Sequence, residues 1–215
     1  MTRHRGRALI SVLLLAAGLL AIFAHPAGAS PGAYRVLFLN AVESPSCSGD
    51  TGVQTQLATM PNVARVDGFN ATTGTPSVAQ LDSYDMVVAH SDCSGYADST
   101  ATGDNVADYA NHGGVVVEFA YSMESFIGDQ LAGRWQTEGH SPYFPGDNVN
   151  RNVTLGSFDA SSPLMAGVST LTSQNCNTDN TLTPGATRVA QWNNGQEAVA
   201  FKGKVVGVTA SVDDS

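Results

Sequence analysis

Hydrophobic residues in the first half of the chain fall into short segments of the length of strands. Three of these segments are almost continuously apolar: "YRVLFLN" (34–40), "MVVAH" (86–90) and "VVVEFA" (115–120). Such runs are typical of strands that are buried on both faces of a parallel sheet. A further segment, "NVARVDGF" (62–69), alternates between apolar and polar residues and also predicts a strand. We therefore expect four strands between residues 34 and 120.

Helical patterns lie between these strands. In "GDTGVQTQLATM", Asp50 is a suitable N-terminal cap, and apolar residues recur at Val53, Leu57 and Met60. The segment "TGDNVADYANHGG" predicts a helix over 104–111 that ends at the glycine pair. Strands and helices therefore alternate along the chain. This order predicts one α/β domain, built on a parallel sheet with helices on both faces.

The pattern changes after Ser122. Residues 128–148 are aromatic and rich in Gly and Pro, which predicts a surface excursion rather than a crossover helix. Near the end, Asn-Gly and Gly turns separate three strand-like segments, 187–192, 197–202 and 204–210, so consecutive hairpins are expected. No helical pattern follows the last strand. Two alternatives follow: either the excursion covers that face of the sheet, or this is a truncated reading frame with exposed apolar surface.

The N-terminal segment has the composition of a secretory signal peptide. Its first seven residues include three arginines, an apolar run follows over 8–23, and Ala27-Gly28-Ala29 supplies small residues for cleavage. The apolar run of about 16 residues is short for a membrane helix, which needs about 20. We expect cleavage after Ala29 and a secreted protein in which 30–215 forms a single domain without a membrane segment.

Charge restricts the class of partner. The whole chain has a formal net charge of −9, and 30–215 retains 7 basic against 19 acidic residues. Nucleic-acid binding needs a basic surface that neutralises phosphates, so a nucleic-acid partner is not expected. The charged fraction of only 13% suits a secreted protein.

The order of elements resembles the class I glutamine amidotransferase-like superfamily, and within it the trehalose-utilisation-protein-like branch. The resemblance depends on "RVLFLN", on "LDSYDMVVAHSD" followed by "VADYANHGGVVVEFA", on "DASSPLMAGV", and on "ATRVAQWNNGQEAVAFKGKVVGVTA". It covers most of the chain after residue 30. It implies a flavodoxin-like parallel sheet with helices on both faces and a hairpin added near the C-terminus.

The resemblance also implies the strand order 2-1-3-4, in which the first and third strands are neighbours. Cys47 and Cys93 then follow adjacent strand ends at the same edge of the sheet, so we expect a Cys47–Cys93 disulfide. The alternatives are that either of them pairs with Cys176, or that none of the three is paired. Their spacing shows no clustering of the CxxC type, which makes a metal site the weakest interpretation.

Ser122 occupies the position where amidotransferases of this superfamily carry a nucleophilic cysteine. The nucleophile turn of these enzymes needs small residues on both sides; Ala120 meets this requirement and Glu124 does not. A catalytic serine would also need a histidine to remove its proton. The family's histidine follows the last strand, but residues 205–215 contain none. We therefore predict that Ser122 is a turn residue that caps a helix beginning near Met123.

Two histidines are the alternatives if Ser122 is catalytic. His140, in the excursion, is the only histidine downstream of Ser122. His90 ends the third strand and is closest to Ser122 by its position in the sheet, although a strand-end histidine is more often structural. The alternative hypothesis is therefore an exported serine hydrolase that uses Ser122 with His140 or His90.

Polar residues follow the carboxyl ends of the strands, where ligands of open α/β sheets bind. Carboxylates and hydroxyls with one or two exposed aromatic rings suit a small polar or carbohydrate ligand. The candidate ligand-binding residues are Glu43, Ser44, Ser91, Asp92, Ser122, Glu124, Arg134 and Trp135. The alternative interpretation of Trp135 is that it fastens the long excursion to the body of the domain.

No cofactor is expected, and the metal interpretation is weak. Glu43, His90, Asp92 and Glu118 are the residues it would use, but their spacing is not that of a metal site. Glu118 lies in mid-strand and needs a partner if it is buried; Arg134 or a cation would serve. The sequence therefore favours a secreted, non-catalytic domain that binds a small polar or carbohydrate ligand or a surface partner. The alternatives are the hydrolase and a structural module of the cell envelope.

Overall fold

The computed structural model describes residues 34–42, 50–60, 62–92, 95–126, 128–149, 151–174 and 177–211. The expected signal peptide and all three cysteines lie outside these ranges, so cleavage after Ala29 and the Cys47–Cys93 disulfide stay predictions. In the described part of the chain, no helix combines the length and the apolar character needed to cross a membrane.

The described residues form strands, short helices and 3-10 turns. The strands are β1 Tyr34–Val42, β2 Val63–Asn70, β3 Met86–Asp92, β4 Val115–Phe119, β5 Tyr143–Val149, β6 Asn152–Phe158, β7 Thr172–Gln174, β8 Asn177–Leu182, β9 Thr187–Trp192, β10 Glu197–Lys202 and β11 Val205–Val208. The helices are α1 Asp50–Ala58, α2 Val78–Leu81, α3 Ser99–Asn111 and α4 Arg134–Thr137. The 3-10 turns are Ala120–Met123 and Pro163–Met165.

The main sheet has nine strands in the order β2-β1-β3-β4-β11-β10-β9-β6-β7, and β5 pairs with β8 in a separate two-stranded sheet. The five strands from β2 to β11 are parallel, with Phe38 beside Val88 and Ala89 beside Glu118. From β11 onward the pairing is antiparallel. The expected order β2-β1-β3-β4 and the consecutive C-terminal hairpins are both confirmed.

Each face of the parallel half carries its own apolar core. On one face, residues such as Phe38, Val88 and Val117 pack beneath α1 and the 163–165 turn. On the other, residues such as Leu39 and Val87 pack beneath α3 and the excursion. Burial on both faces explains why these strands are continuously apolar in sequence.

Two local predictions need correction. The helix expected over 104–111 begins earlier, because the Asp98 side chain accepts a hydrogen bond from Ala101 N at 2.8 Å and so caps α3 at Ser99. Ser122 does not cap a helix that begins near Met123. It lies inside the 3-10 turn Ala120–Met123, and the extended backbone of Glu124 ends that turn.

The excursion runs along α3 from the carboxyl edge of the sheet to its amino edge. Ala132 N donates to Ser99 O at 3.1 Å, near the start of α3. Further along, the Arg134 guanidinium lies 2.6 Å from the Asp108 carboxylate. The Tyr143 ring then lies on β11 so closely that a Cβ on Gly207 would come within 2.6 Å of it. The excursion therefore packs on the same face of the sheet as α3.

A buried carboxyl group fastens the excursion to the sheet. Glu118, in mid-β4, is fully buried and accepts hydrogen bonds from Trp135 Nε1 at 3.0 Å and from Ser141 Oγ. Burial raises its pKa to about 8, although both donors favour the charged form. The partner that Glu118 needs is therefore supplied by Trp135 and Ser141, not by Arg134.

We expect Gly103→Ala to lower the free energy of unfolding by about 1–3 kcal/mol, although alanine favours helix formation. A Cβ at this position in α3 would lie 2.8 Å from Ala132 N and overlap the carbonyl oxygen of the same residue, so the excursion would have to move. Urea denaturation measures the change. The matched control is Gly52→Ala in α1, where a Cβ would meet nothing within 4 Å. Equal effects of the two variants would contradict this packing.

The buried Glu118 predicts that stability falls as pH rises from about 5 to about 8. The unfolded carboxyl releases its proton near its ordinary pKa of 4.5, whereas the folded one retains it up to about 8, so raising the pH favours unfolding. The expected loss is a few kcal/mol, since one pKa unit corresponds to about 1.4 kcal/mol.

Denaturation curves between pH 5 and 9 measure this loss, and Glu118→Gln should remove most of it. Glu124, whose pKa burial raises to about 7, acts in the same direction, so Glu124→Gln separates the two contributions. An unchanged pH slope in Glu118→Gln would contradict the assignment.

Candidate functional site

Four polar side chains gather beyond the carboxyl ends of the parallel strands. They come from the turn after β4, from the start of the excursion and from β5: Ser122, Glu124, Asp129 and Asp147. We call these four residues the carboxyl-edge cluster. Of the other residues predicted for this edge, Ser91 and Asp92 end β3, while Glu43 and Ser44 lie outside the described residues.

Ser122 is held inside the turn rather than presented to solvent. Its side chain is fully buried, and its hydroxyl lies 2.8 Å from the hydroxyl of Tyr96. Its carbonyl oxygen accepts from Leu131 N at 3.0 Å, which fastens the turn to the excursion. Burial raises the pKa of Tyr96, so the phenol stays neutral and does not serve as a base. A nucleophile elbow exposes its hydroxyl at the top of the sheet, and Ser122 does not.

The described histidines have partners other than Ser122. His90 is fully buried, stacks on Phe38 with ring centroids 6.1 Å apart, and its Nε2 lies 3.1 Å from Ser211 Oγ. His140 Nε2 lies 2.9 Å from the Glu138 carboxylate.

His140 also lies at the wrong end of β4. It shares a cleft with Gly114, just before the strand, whereas Ser122 follows the strand. A strand of this length separates its two ends by about 16 Å, at about 3.3 Å per residue. The structure therefore does not bring His140 to Ser122.

The acidic members of the carboxyl-edge cluster are close enough to influence one another. The pKa of Glu124 is raised to about 7, mainly by partial burial and to a smaller extent by the negative charges of Asp129 and Asp147. Partial burial also raises the pKa of Asp129. The Ser91 hydroxyl donates to the backbone oxygen of Asp129 at 2.6 Å, which holds this residue against the end of β3. The edge therefore presents clustered carboxyl oxygens, which are hydrogen-bond acceptors when ionised.

One exposed phenylalanine follows the turn after β4, and a second lies farther along the excursion. Phe126 is 64% exposed, whereas Phe144, which is 49% exposed, lines a pocket with Gly139 and Lys202. Ser125 connects their two segments, since its N donates to Gly146 O at 2.7 Å and its hydroxyl donates to Asp147 Oδ1 at 2.8 Å. An aromatic ring, that of Phe126, therefore lies close in sequence to the acceptor groups of this surface.

Arg134 and Trp135, which the sequence places in the ligand site, lie elsewhere. Trp135 is fully buried between α3 and the sheet, where it donates to Glu118, so it does not line an open cleft. Arg134 pairs with Asp108 on the side of α3. The alternative interpretation, in which Trp135 fastens the excursion, matches this geometry.

Metal-ligand geometry does not occur among the described residues, where no group of three or more His, Cys, Asp or Glu side chains could hold an ion. Of the four residues in the metal interpretation, Glu118 is bound by Trp135 and Ser141, and Glu43 is outside the described residues.

Sequence reasoning missed Tyr96, Asp129 and Asp147 as parts of the site. Asp129 and Asp147 lie in the excursion, so proximity to Glu124 became visible only once its path was known.

No protein-family model matches the chain, and no curated protein matches it. Solved structures do match. A ThuA-like protein from Bacteroides uniformis superposes with a TM-score of 0.60 at 9% identity, covering 89% of this chain and 88% of that one. A glutamine amidotransferase from Thermotoga maritima gives 0.58 at 16% identity, covering 84% and 76%. A ThuA-like protein from Parabacteroides merdae gives 0.52 at 15% identity, covering 82% and 78%.

These likenesses show the fold. The chain has the α/β architecture of glutamine amidotransferase-like proteins, with additional strands toward its C-terminus. At such low identity, likeness of fold does not transfer an activity.

Proposed function

We propose that this chain is a secreted, non-catalytic amidotransferase-like domain that binds a small polyhydroxylated ligand, of the carbohydrate class, at the carboxyl-edge cluster. One observation carries the proposal: the turn that holds a nucleophile in amidotransferases here buries a serine against a tyrosine, while carboxylates collect beside it. The site therefore offers acceptors in place of a nucleophile.

Carboxylates and aromatic rings are complementary to a sugar. Ionised Glu124 and Asp129 accept hydrogen bonds from hydroxyl groups, and hydrogen bonds to charged groups are stronger than neutral ones. The exposed face of Phe126 offers apolar surface for the C–H face of a pyranose ring. Ligands of open α/β sheets also bind at this edge.

Secretion belongs to the same proposal. It is supported by the signal-like composition of residues 1–29 and by the acidic, weakly charged composition of the remainder. A carbohydrate ligand is consistent with that compartment, where sugars and polysaccharides are abundant.

Isothermal titration calorimetry with glucose, trehalose, maltose and cellobiose tests the binding. We expect at least one of these sugars to bind, and Glu124→Gln or Asp129→Asn to weaken its binding at least about tenfold, the equivalent of one charged hydrogen bond. Asp82→Asn is the matched control, since Asp82 precedes β3 at the opposite edge and pairs with His112. Binding of none of the sugars would overturn the proposal and favour a structural module.

The pH dependence of binding provides a second readout. Glu124 accepts hydrogen bonds through both oxygens only when it is ionised, and its pKa is about 7. Affinity should therefore rise between pH 6 and pH 8, and Glu124→Gln should flatten that rise. A flat profile in the unmodified protein would exclude Glu124 from the ligand site.

The hydrolase alternative is tested by a fluorophosphonate probe, which labels activated serines. We expect no labelling of Ser122, because its hydroxyl is buried and paired with Tyr96. Ser122→Ala and Ser125→Ala are compared with the unmodified protein, Ser125 being the neighbouring exposed serine. Labelling that Ser122→Ala alone abolishes would overturn the non-catalytic assignment.

A further inference from the structure

The chain contains two lysines, Lys202 and Lys204, and both lie at one cleft. The cleft has a volume of about 330 Å³ and is lined by Gly114, Glu138, His140, Lys202, Lys204 and Val205, among others. We call it the lysine cleft. It lies where β4 and β11 begin, at the amino edge of the parallel strands, and is therefore separate from the carboxyl-edge cluster.

Both ammonium groups are fixed in position. Lys202 Nζ donates to Gly139 O at 2.6 Å, and Lys204 Nζ donates to Gly113 O at 2.8 Å. Gly113 and Gly139 have positive φ angles, of 93° and 67°, which orient these turns. An ammonium group has three donors, so each lysine keeps two beyond the one that holds it.

The remaining charges at the cleft leave it positive. Glu138 is its acidic residue, and the carboxylate of Glu138 is already engaged by His140 at 2.9 Å, Asn111 at 3.2 Å and Arg134 at 3.7 Å. In a chain with a net charge of −9, a concave site with two lysines departs from the general surface charge. Concave sites concentrate the field of their charges and attract ligands of opposite sign.

We propose that the lysine cleft binds a small phosphate monoester. Two ammonium groups match the two negative charges of a phosphate monoester, and lysine binds phosphate as a point charge. The volume is at the lower end of the range for small-molecule sites, enough for a phosphate with a compact organic part. This inference is independent of carbohydrate binding at the other edge.

The test is a ¹⁵N–¹H NMR titration of the purified protein with glucose 6-phosphate at low salt. We expect the amide signals of Gly113, Gly114, Gly139 and Gly203 to shift, and inorganic phosphate, but not glucose, to compete. Added salt should weaken binding, because the attraction is between charges. Signals of the carboxyl-edge cluster should not move on addition of inorganic phosphate.

Lys202→Gln and Lys204→Gln remove the charge while their amides retain a donor for the turn carbonyl. Each is expected to weaken glucose 6-phosphate binding at least about tenfold, as loss of a charged hydrogen bond does. Arg151→Gln is the matched control: it removes one charge at an exposed side chain whose acidic neighbour, Asp179, is 4.0 Å away. Thermal melting verifies that each variant is folded.

Three results would overturn the proposal. They are the absence of binding at millimolar glucose 6-phosphate, shifts confined to residues outside the lysine cleft, and equal affinity in the lysine variants and Arg151→Gln. Loss of glucose 6-phosphate binding in Glu124→Gln would instead move the phosphate ligand to the carboxyl edge. Failure of sugar binding there leaves this inference unaffected, since the two sites share no residue.

Discussion

The carboxyl group of Glu118 is the constraint that organises the molecule. A carboxyl in the middle of a buried strand needs hydrogen-bond donors, and both donors come from the excursion, Trp135 Nε1 and Ser141 Oγ. The excursion therefore lies along the whole length of β4. Its first residues reach the carboxyl edge with Asp129, and its later residues reach the amino edge with His140. The two candidate sites at opposite edges thus depend on one buried interaction.

The parallel half of the fold could be predicted because strands that are buried on both faces are continuously apolar in sequence. Runs such as 86–90 and 115–120 have no polar alternation, and β3 and β4 lie there. The C-terminal hairpins were equally visible from their Asn-Gly and Gly turns. The pairing of β5 with β8 could not be predicted, because Tyr143 and its partner Leu182 are far apart in sequence. In addition, neither strand shows a clear pattern of alternating apolar residues.

The candidate site was predicted only in part, for a similar reason. Glu124 follows β4 directly, so strand order alone places it at the carboxyl edge. Trp135 was harder to place, since an aromatic residue in a Gly-rich segment suits either an exposed platform or a buried anchor. Burial of Glu118 decides between them, because Trp135 carries an N–H that the carboxyl can accept. The sequence showed that Glu118 needed a partner but not which one.

The placement of both lysines at the β10–β11 turn also determines where reagents that modify amino groups attach to the protein. Reagents that acylate ε-amino groups have two targets in the chain, separated by Gly203 alone. Coupling through lysine side chains to a surface or a dye would therefore attach the molecule by its amino edge. The opposite edge, with Glu124 and Phe126, would face the solution in the copies that are attached through either lysine.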